Sequence, residues 1–347
     1  MPIKGSLGLY TEDKQIISDI MDFSDNWSEQ YQKAVERGLV PRYLKAPIFA
    51  LWEITSMCPQ RCVYCYNKSP MKVEELSSKK LFAVADELLD IGMFRLCISG
   101  GEPNTRPEYL NLLQYLWSGG VQIGTVISGW GMDKDKIKHI ARYTSTVQVS
   151  LDGSTAEIHD SIRARKGSYD DAVNSIRLLS EAGKTTLVAT SLVKENIDDF
   201  PRIYELCNKY GVYELRTQYL AKTGRAKDED INLASDEDYV ALKKYIEDIQ
   251  KTPGATRVSF ADPTMHIKSG LNLGYVSLMR ITSEGNVGPS PYLNVFFGNV
   301  KEQSLKDICK RLSSGWNNAQ VRELFASGKI GVNNGIISDN TQGNLFV

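Results

Sequence analysis

The sequence predicts an α/β fold, a partial (β/α)6 barrel of the TIM type with a small C-terminal α+β extension. Three observations predict it. From residue 47 onward, strand-like apolar runs alternate with helical stretches, the pattern of parallel βα units. Six such runs occur, fewer than the eight of a closed barrel, which leaves an open barrel or a doubly wound sheet. The unusual residues fall just after the strands, and this favours the barrel, whose strand-end loops converge on one face.

The strands are expected at Ile48–Ile54, Phe94–Ile98, Val121–Ile127, Thr146–Leu151, Thr185–Leu192 and Tyr213–Tyr219. A cysteine cluster follows the first, Gly100-Gly101-Glu102-Pro103 the second, Ser128-Gly129 the third and Asp152-Gly153 the fourth. Ser77 reads as the N-cap of a helix that Gly92 ends, and Pro107 suits a first helical turn. Ser168 opens another helix, closed by Gly183, and Asn196 with Asp199 marks a further start. Ahead of this core, residues 1–46 are polar, with one amphipathic helix expected over Asp13–Arg37 and packing on the barrel of residues 47–235. The rhythm changes over 236–347. A helix over Glu237–Gln250 precedes a hairpin in which Ser283-Glu284-Gly285-Asn286 is the turn between Tyr275–Thr282 and a short strand near Val287. Helical pieces follow at Leu305–Leu312 and Asn318–Phe325, and the tail from Gly331, rich in Asn, Gly, Ser and Asp, reads as mobile or as a flap.

The 347 residues carry 41 basic and 42 acidic side chains, net charge −1. That balance gives no basic excess for nucleic-acid binding. No apolar run is long enough to span a bilayer, mean hydropathy is −0.29, and the N-terminus lacks a signal core. The expectation is a cytoplasmic protein with no nucleic-acid or membrane partner. Six cysteines are too sparse for a disulfide framework, yet three crowd into Cys58-Pro59-Gln60-Arg61-Cys62-Val63-Tyr64-Cys65. One loop with these spacings can fold three thiolates around one metal centre. A cluster of four irons usually takes four cysteines, so three leave one iron open. Zinc is the alternative, but a structural zinc needs four protein ligands, the nearest histidine is His139, and a fourth would have to come from a distant loop.

Cys58-x3-Cys62-x-Tyr64-Cys65 after a first strand resembles the signature of the radical S-adenosylmethionine (radical SAM) superfamily. The likeness extends over about residues 47–310. Ser99-Gly100-Gly101-Glu102-Pro103 resembles the GGEP motif, and Ile127-Ser128-Gly129-Trp130 stands where many members have a Ser/Thr-Asn-Gly turn, here without the Asn. Val149-Ser150-Leu151-Asp152-Gly153 with His159-Asp160 and Ile162-Arg163 resembles the SLDG…HD…R stretch of one branch, and Gly224-Arg225-Ala226 its GRA turn. The resemblance implies that Cys58, Cys62 and Cys65 hold a [4Fe–4S] cluster whose open iron chelates S-adenosylmethionine. One electron from an external reductant of the flavodoxin or ferredoxin type then yields a 5′-deoxyadenosyl radical, which abstracts a substrate hydrogen atom. It further implies cofactor contacts from Tyr64, Gly100, Gly101, Glu102, Ser128, Ser150, Asp152 and Arg163, with Glu102 an acceptor for the methionine ammonium and Arg163 a partner for its carboxylate.

The C-terminal part resembles the SPASM/twitch extension of peptide-modifying relatives, in a degenerate form. Gly285-Asn286-Val287-Gly288-Pro289-Ser290 keeps its outline with Ser290 in a cysteine place, and no cysteine follows Cys309, so no auxiliary cluster is expected. The implied substrate is a ribosomally made peptide or a peptide-derived natural product. A sugar, nucleoside or tetrapyrrole is the alternative, and a non-catalytic iron–sulfur or zinc protein the rival that the GGEP-like loop argues against. Cys97 and Cys207 read as small buried hydrophobes; by resemblance to peptide epimerases of the superfamily they are also the candidate hydrogen-atom donors.

Overall fold

The computed structural model describes residues 47, 49–229, 231–252, 256–274, 276–333, 336–339, 341 and 343–347. The helix expected over Asp13–Arg37 lies outside them.

The six expected strands are present as β1 (Phe49–Glu53), β2 (Arg95–Ser99), β3 (Gln122–Ile127), β4 (Thr146–Ser150), β5 (Thr186–Ala189) and β6 (Glu214–Gln218). They pair in parallel in sequence order. Side chains alternate across the sheet. In β2, Leu96 and Ile98 are fully buried under the outer helices, whereas Arg95 and Cys97 face the barrel interior half-buried. Trp52, Ile123, Val147, Val149 and Leu215 fill the same outward layer, each such burial being worth about 1.5–3 kcal/mol.

Two further parallel strands extend the expected open barrel. β7 (Arg257–Ala261) adds beside β6, and β8 (Leu278–Ile281) adds beside β1. β7 is a short run after a Pro-Gly pair, so it carries a weak signal. β8 and β9 (Asn286–Gly288) form the expected antiparallel hairpin, with Gly285 at φ +93° in its turn. β10 (Val295–Phe296) and β11 (Gly298–Asn299) follow, and β11 pairs with β9. One sheet thus runs β11-β9-β8-β1-β2-β3-β4-β5-β6-β7 among the described residues, crossing the boundary expected at 235/236. It stays open because β7 and β8 do not pair.

The helices sit where their caps place them. Ser77 accepts from the Lys80 N–H to start Ser78–Asp90, and Ser235 with Asp238 forms a capping box for Asp236–Ile249. The tail is more ordered in pattern than its polar composition suggests. It carries regular structure: β12 (Ile330–Asn333) pairs with β13 (Ile336–Asp339), and β14 (Leu345–Phe346) pairs with β10. The apolar side chains among its polar residues explain this, since Ile330 and Ile337 are each 1% exposed.

Candidate active site

The C-terminal ends of the parallel strands enclose a cavity of about 500 Å³. Cys58, Cys62 and Cys65 border it, together with Gln60, Tyr64, Gly100, Gly101, Ser128, Ser150 and Arg163. The sequence motifs therefore meet at one place, although they are spread over more than a hundred residues.

The cysteine loop is held from four sides. The glycine loop after β2 lies against its start: the Gly101 N–H donates to the Thr55 carbonyl (2.7 Å) and the Glu102 N–H to the Met57 carbonyl (2.8 Å). A Cβ on Gly101 would stand 2.1 Å from the Met57 oxygen, and one on Gly100, at φ +147°, 2.4 Å from the Thr55 oxygen. These glycines are thus demanded by the packing of two backbones. On the second side, the Arg61 and Val63 N–H groups donate to the Arg163 and Ile162 carbonyls at the end of the helix Ala156–Arg163. On the third, the Gly224-Arg225 turn packs against Cys65. The Arg225 N–H donates to the Cys65 carbonyl, and its buried guanidinium to the carbonyls of Cys62 and Ser69. A Cβ at Gly224 would meet the Tyr66 and Cys65 oxygens at 2.2 and 2.5 Å.

The fourth restraint is an ion pair under the loop. Asp152, fully buried, accepts from Arg163 Nε at 2.5 Å, from the Tyr64 hydroxyl and from the Ser191 N–H at 2.8 Å. The Arg163 guanidinium carbon lies 5.6 Å from the Tyr64 ring centre, a cation–π distance. Its Nη1 reaches Gln60 Oε1 at 3.4 Å and Cys62 Sγ at 3.6 Å.

Glu102 is fully buried. Its carboxylate accepts from the Ser128 N–H at 2.7 Å and the Asn104 N–H at 3.3 Å. Burial pushes its carboxyl up, while the two N–H groups stabilise the charged form. The side chain that resemblance assigns to the ammonium thus links the loops after β2 and β3. Gly100 and Gly101 beside it border the cavity, as do Ser128 and Ser150. Burial likewise pushes the Cys58 thiol up to about 12 and raises Cys62, which keeps both groups protonated unless a bound metal displaces the proton.

The solitary cysteines separate. Cys97 lies on β2, two residues before Ser99 at the cavity wall, and burial pushes its thiol up to about 11 against the pull of Arg95 and Arg216. Cys207 is 1% exposed in the outer helix Phe200–Lys209. Ser290, in the cysteine place of the extension, is sealed at 0% exposure. Its hydroxyl sits 2.8 Å from His266 Nε2 and accepts the Tyr292 N–H. Gln60, Arg225 and Gly224 do as much to hold the loop as the residues singled out from the sequence. Of these, only the Gly224-Arg225 turn carried a signal.

A second cavity of about 430 Å³ opens beside the first and shares Tyr66 and Tyr292 with it. These rings meet edge to face with centres 5.9 Å apart. Tyr66 donates to Glu53, which pairs with Arg280 across β1 and β8, and Tyr292 accepts from Gln218.

The family model of the radical SAM superfamily matches residues 52–207. The chain is similar to the AdoMet-dependent heme synthase of Methanosarcina barkeri (strain Fusaro / DSM 804). They are 27% identical over 301 residues, which cover 80% of this chain and 84% of that one. It is also similar to mycofactocin maturase MftC of Mycolicibacterium smegmatis, 33% identical over 190 residues, 54% of this chain and 48% of that protein, or about half its length. Among solved structures, that of Streptococcus suis SuiB bound to precursor peptide SuiA has the same fold, with a TM-score of 0.66 at 17% identity, over 86% of this chain and 71% of that one. Among the described residues, no helix is long and apolar enough to cross a membrane.

Proposed function

We propose, from the match that makes this chain a radical SAM enzyme, that Cys58, Cys62 and Cys65 hold the [4Fe–4S] cluster the superfamily uses and that the cavity beside them binds S-adenosylmethionine. The observation that carries this is the convergence of the three thiols and the Gly100-Gly101 loop on one strand-end cavity. The donor set fits the cluster by its chemistry: three thiols of one loop border a shared space, and cysteine thiolate is the ligand such a cluster takes, whereas a structural zinc needs four protein ligands. When bound, cluster and S-adenosylmethionine supply a 5′-deoxyadenosyl radical that takes a hydrogen atom from the substrate. The chain's part is to hold and to screen. Arg225, Gly101 and Arg163 fix the thiol loop. Ser128 and Ser150 offer hydroxyls to the cofactor's polar groups, and Tyr64 and Arg163 wall the cavity. The electron comes from an external one-electron reductant.

The substrate we infer is a ribosomally made peptide or peptide-derived product. A cavity of about 500 Å³ takes one drug-sized ligand, a space that S-adenosylmethionine itself largely fills. The substrate then enters by one reactive group with its remainder outside, and the second cavity beyond Tyr66 and Tyr292 offers that remainder a place. The similarity to a maturase, and a fold that in SuiB binds a precursor peptide, support this reading. A tetrapyrrole is the second reading, favoured by the heme synthase alignment over 80% of the chain. The test is anaerobic reconstitution with iron and sulfide, then reduction with S-adenosylmethionine. The wild type is expected to release 5′-deoxyadenosine, and Cys62→Ala to lose both visible absorption and product. Reconstituted wild type that releases none refutes the reading. A tetrapyrrole altered in this assay, with peptides encoded beside the gene left inert, would replace the first substrate by the second.

A further inference from the structure

Gln60 is the residue of the cysteine loop whose hydrogen bonding is unfinished. Its side chain is 2% exposed, and its Nε2 is shielded from solvent with no partner. Everything around it is settled: the Gln60 backbone N–H donates to Cys58 Sγ at 3.4 Å, and its Oε1 accepts from Arg163 Nη1 at 3.4 Å and lies 3.8 Å from Cys62 Sγ. An amide carries two N–H donors on Nε2, and in native structures buried donors are rarely left empty. Gln60 borders the same cavity as the three thiols.

Ligation would change these contacts. As a thiol, Cys62 can donate to Gln60 Oε1. As a thiolate ligand it carries no proton and only accepts. Arg163 keeps its contact to Cys62 Sγ, but the amide loses one donor and gains an acceptor beside it.

We propose that Gln60 is a positioning and tuning residue for the cluster: its Nε2–H donates to the Cys62 sulfur or to an adjacent sulfide, alongside Arg163 and the Gln60 backbone N–H to Cys58. Hydrogen bonds to cluster sulfur stabilise the more negative, reduced state and raise the potential. The inference rests on the three-thiol cluster reading. It adds that a residue between the ligands, not itself a ligand, sets how readily the cluster accepts its electron.

The test replaces Gln60 with apolar side chains of similar length, Gln60→Leu and Gln60→Met. Midpoint potentials of the reconstituted proteins are measured by redox titration without S-adenosylmethionine, and urea melts are run on the metal-free forms. Loss of the donor is expected to lower the reduction equilibrium constant about tenfold, a shift of about 59 mV for one electron to more negative potential. The metal-free variants are expected to melt at the same or higher urea concentration, because an unpaired amide has been removed. A merely structural role would lower the melt and leave the potential alone. Iron-loaded variants whose potential stays within twofold of wild type overturn the proposal. So does a fall in metal-free stability with no change in potential. Loss of iron from both variants with the metal-free fold intact supports it. Wild type that takes up no iron fails the cluster reading instead, and iron in wild type with unmoved variants fails only this one.

Discussion

Replacing Asp152 with Asn tests whether the ion pair beneath the cysteine loop holds the site together. Asp152 is fully buried, and the Arg163 side chain is 9% exposed, so solvent screens the pair little. In the variant Arg163 keeps its charge, but its remaining side-chain hydrogen-bond partners are Gln60 at 3.4 Å and Cys62 at 3.6 Å, both too long to replace a carboxylate. Removing one partner of a buried pair costs about 3–5 kcal/mol. An Asn that keeps its oxygen toward the Ser191 N–H also turns its NH2 toward both Arg163 and Tyr64, which share the other oxygen in the wild type. The expected loss is therefore about 3–4 kcal/mol, a large share of the about 5–15 kcal/mol that holds a domain folded. Urea unfolding of the metal-free protein, followed by tryptophan fluorescence, measures it. Adding Arg163→Met to the variant should recover about 1–3 kcal/mol, because the uncompensated charge is gone. A loss below about 1 kcal/mol for Asp152→Asn, or a double variant no better than the sum of the two, would refute the view that this pair anchors the loop.

Two other outcomes follow from the same geometry. Gly101→Ala places a Cβ 2.1 Å from a backbone oxygen of the cysteine loop, which has no flexible end to give way. Iron uptake should fall severalfold while far-ultraviolet circular dichroism is kept, whereas Gly120→Ala, with no atom within 4 Å, should cost only about 1–2 kcal/mol for its positive φ and leave iron uptake unchanged. His159 is buried, its Nδ1 accepting the Asp152 N–H, and burial lowers its pKa from 6.5 to about 4. The unfolded chain binds this proton first, so the stabilisation is complete above pH 6.5 and is lost as pH falls toward 4, by about 3 kcal/mol in all. Unfolding free energies at pH 7, 6 and 5 should fall less steeply in His159→Gln than in wild type; equal slopes would show that the ring is not held neutral.

Much of this was legible before any coordinates. The strands read from alternation and punctuation fall within a residue of those observed, except β5, which ends at Ala189, three residues before the expected Leu192. The agreement arises because each carries its own local signal: apolar outward positions, a Ser cap, a closing Gly. The cysteine, glycine and serine motifs announced where the site lies, because in a parallel barrel every strand end reaches the same face. What stayed hidden depends on contacts distant in sequence. β7 is five residues with no motif, and it becomes a strand because β6 leaves an edge to pair with. Gly100 and Gly101 border the cavity as their motif suggests, but their close packing on the backbone of residues 55–57 could not be read from it. Glu102 and Asp152 carry a motif, but the partners their carboxylates have within the chain, the Ser128 N–H for one and Arg163 and Tyr64 for the other, could not be read from it. No pattern marks Gln60, whose significance lies in which atoms surround it.

The guanidinium of Arg225, which holds the carbonyls of Cys62 and Ser69, stands 163 residues beyond Cys62 in the chain. Arg163, the other buried support, is 101 residues beyond it. Contacts of such separation form only after the intervening polypeptide has been made and folded. The ligand loop leaves the ribosome early, but it cannot take its final shape until the sixth strand has been added. A cluster held by these thiols would therefore be loaded after folding: the nascent thiols pass through synthesis without these supports, and the pocket arises late, as a property of the finished barrel.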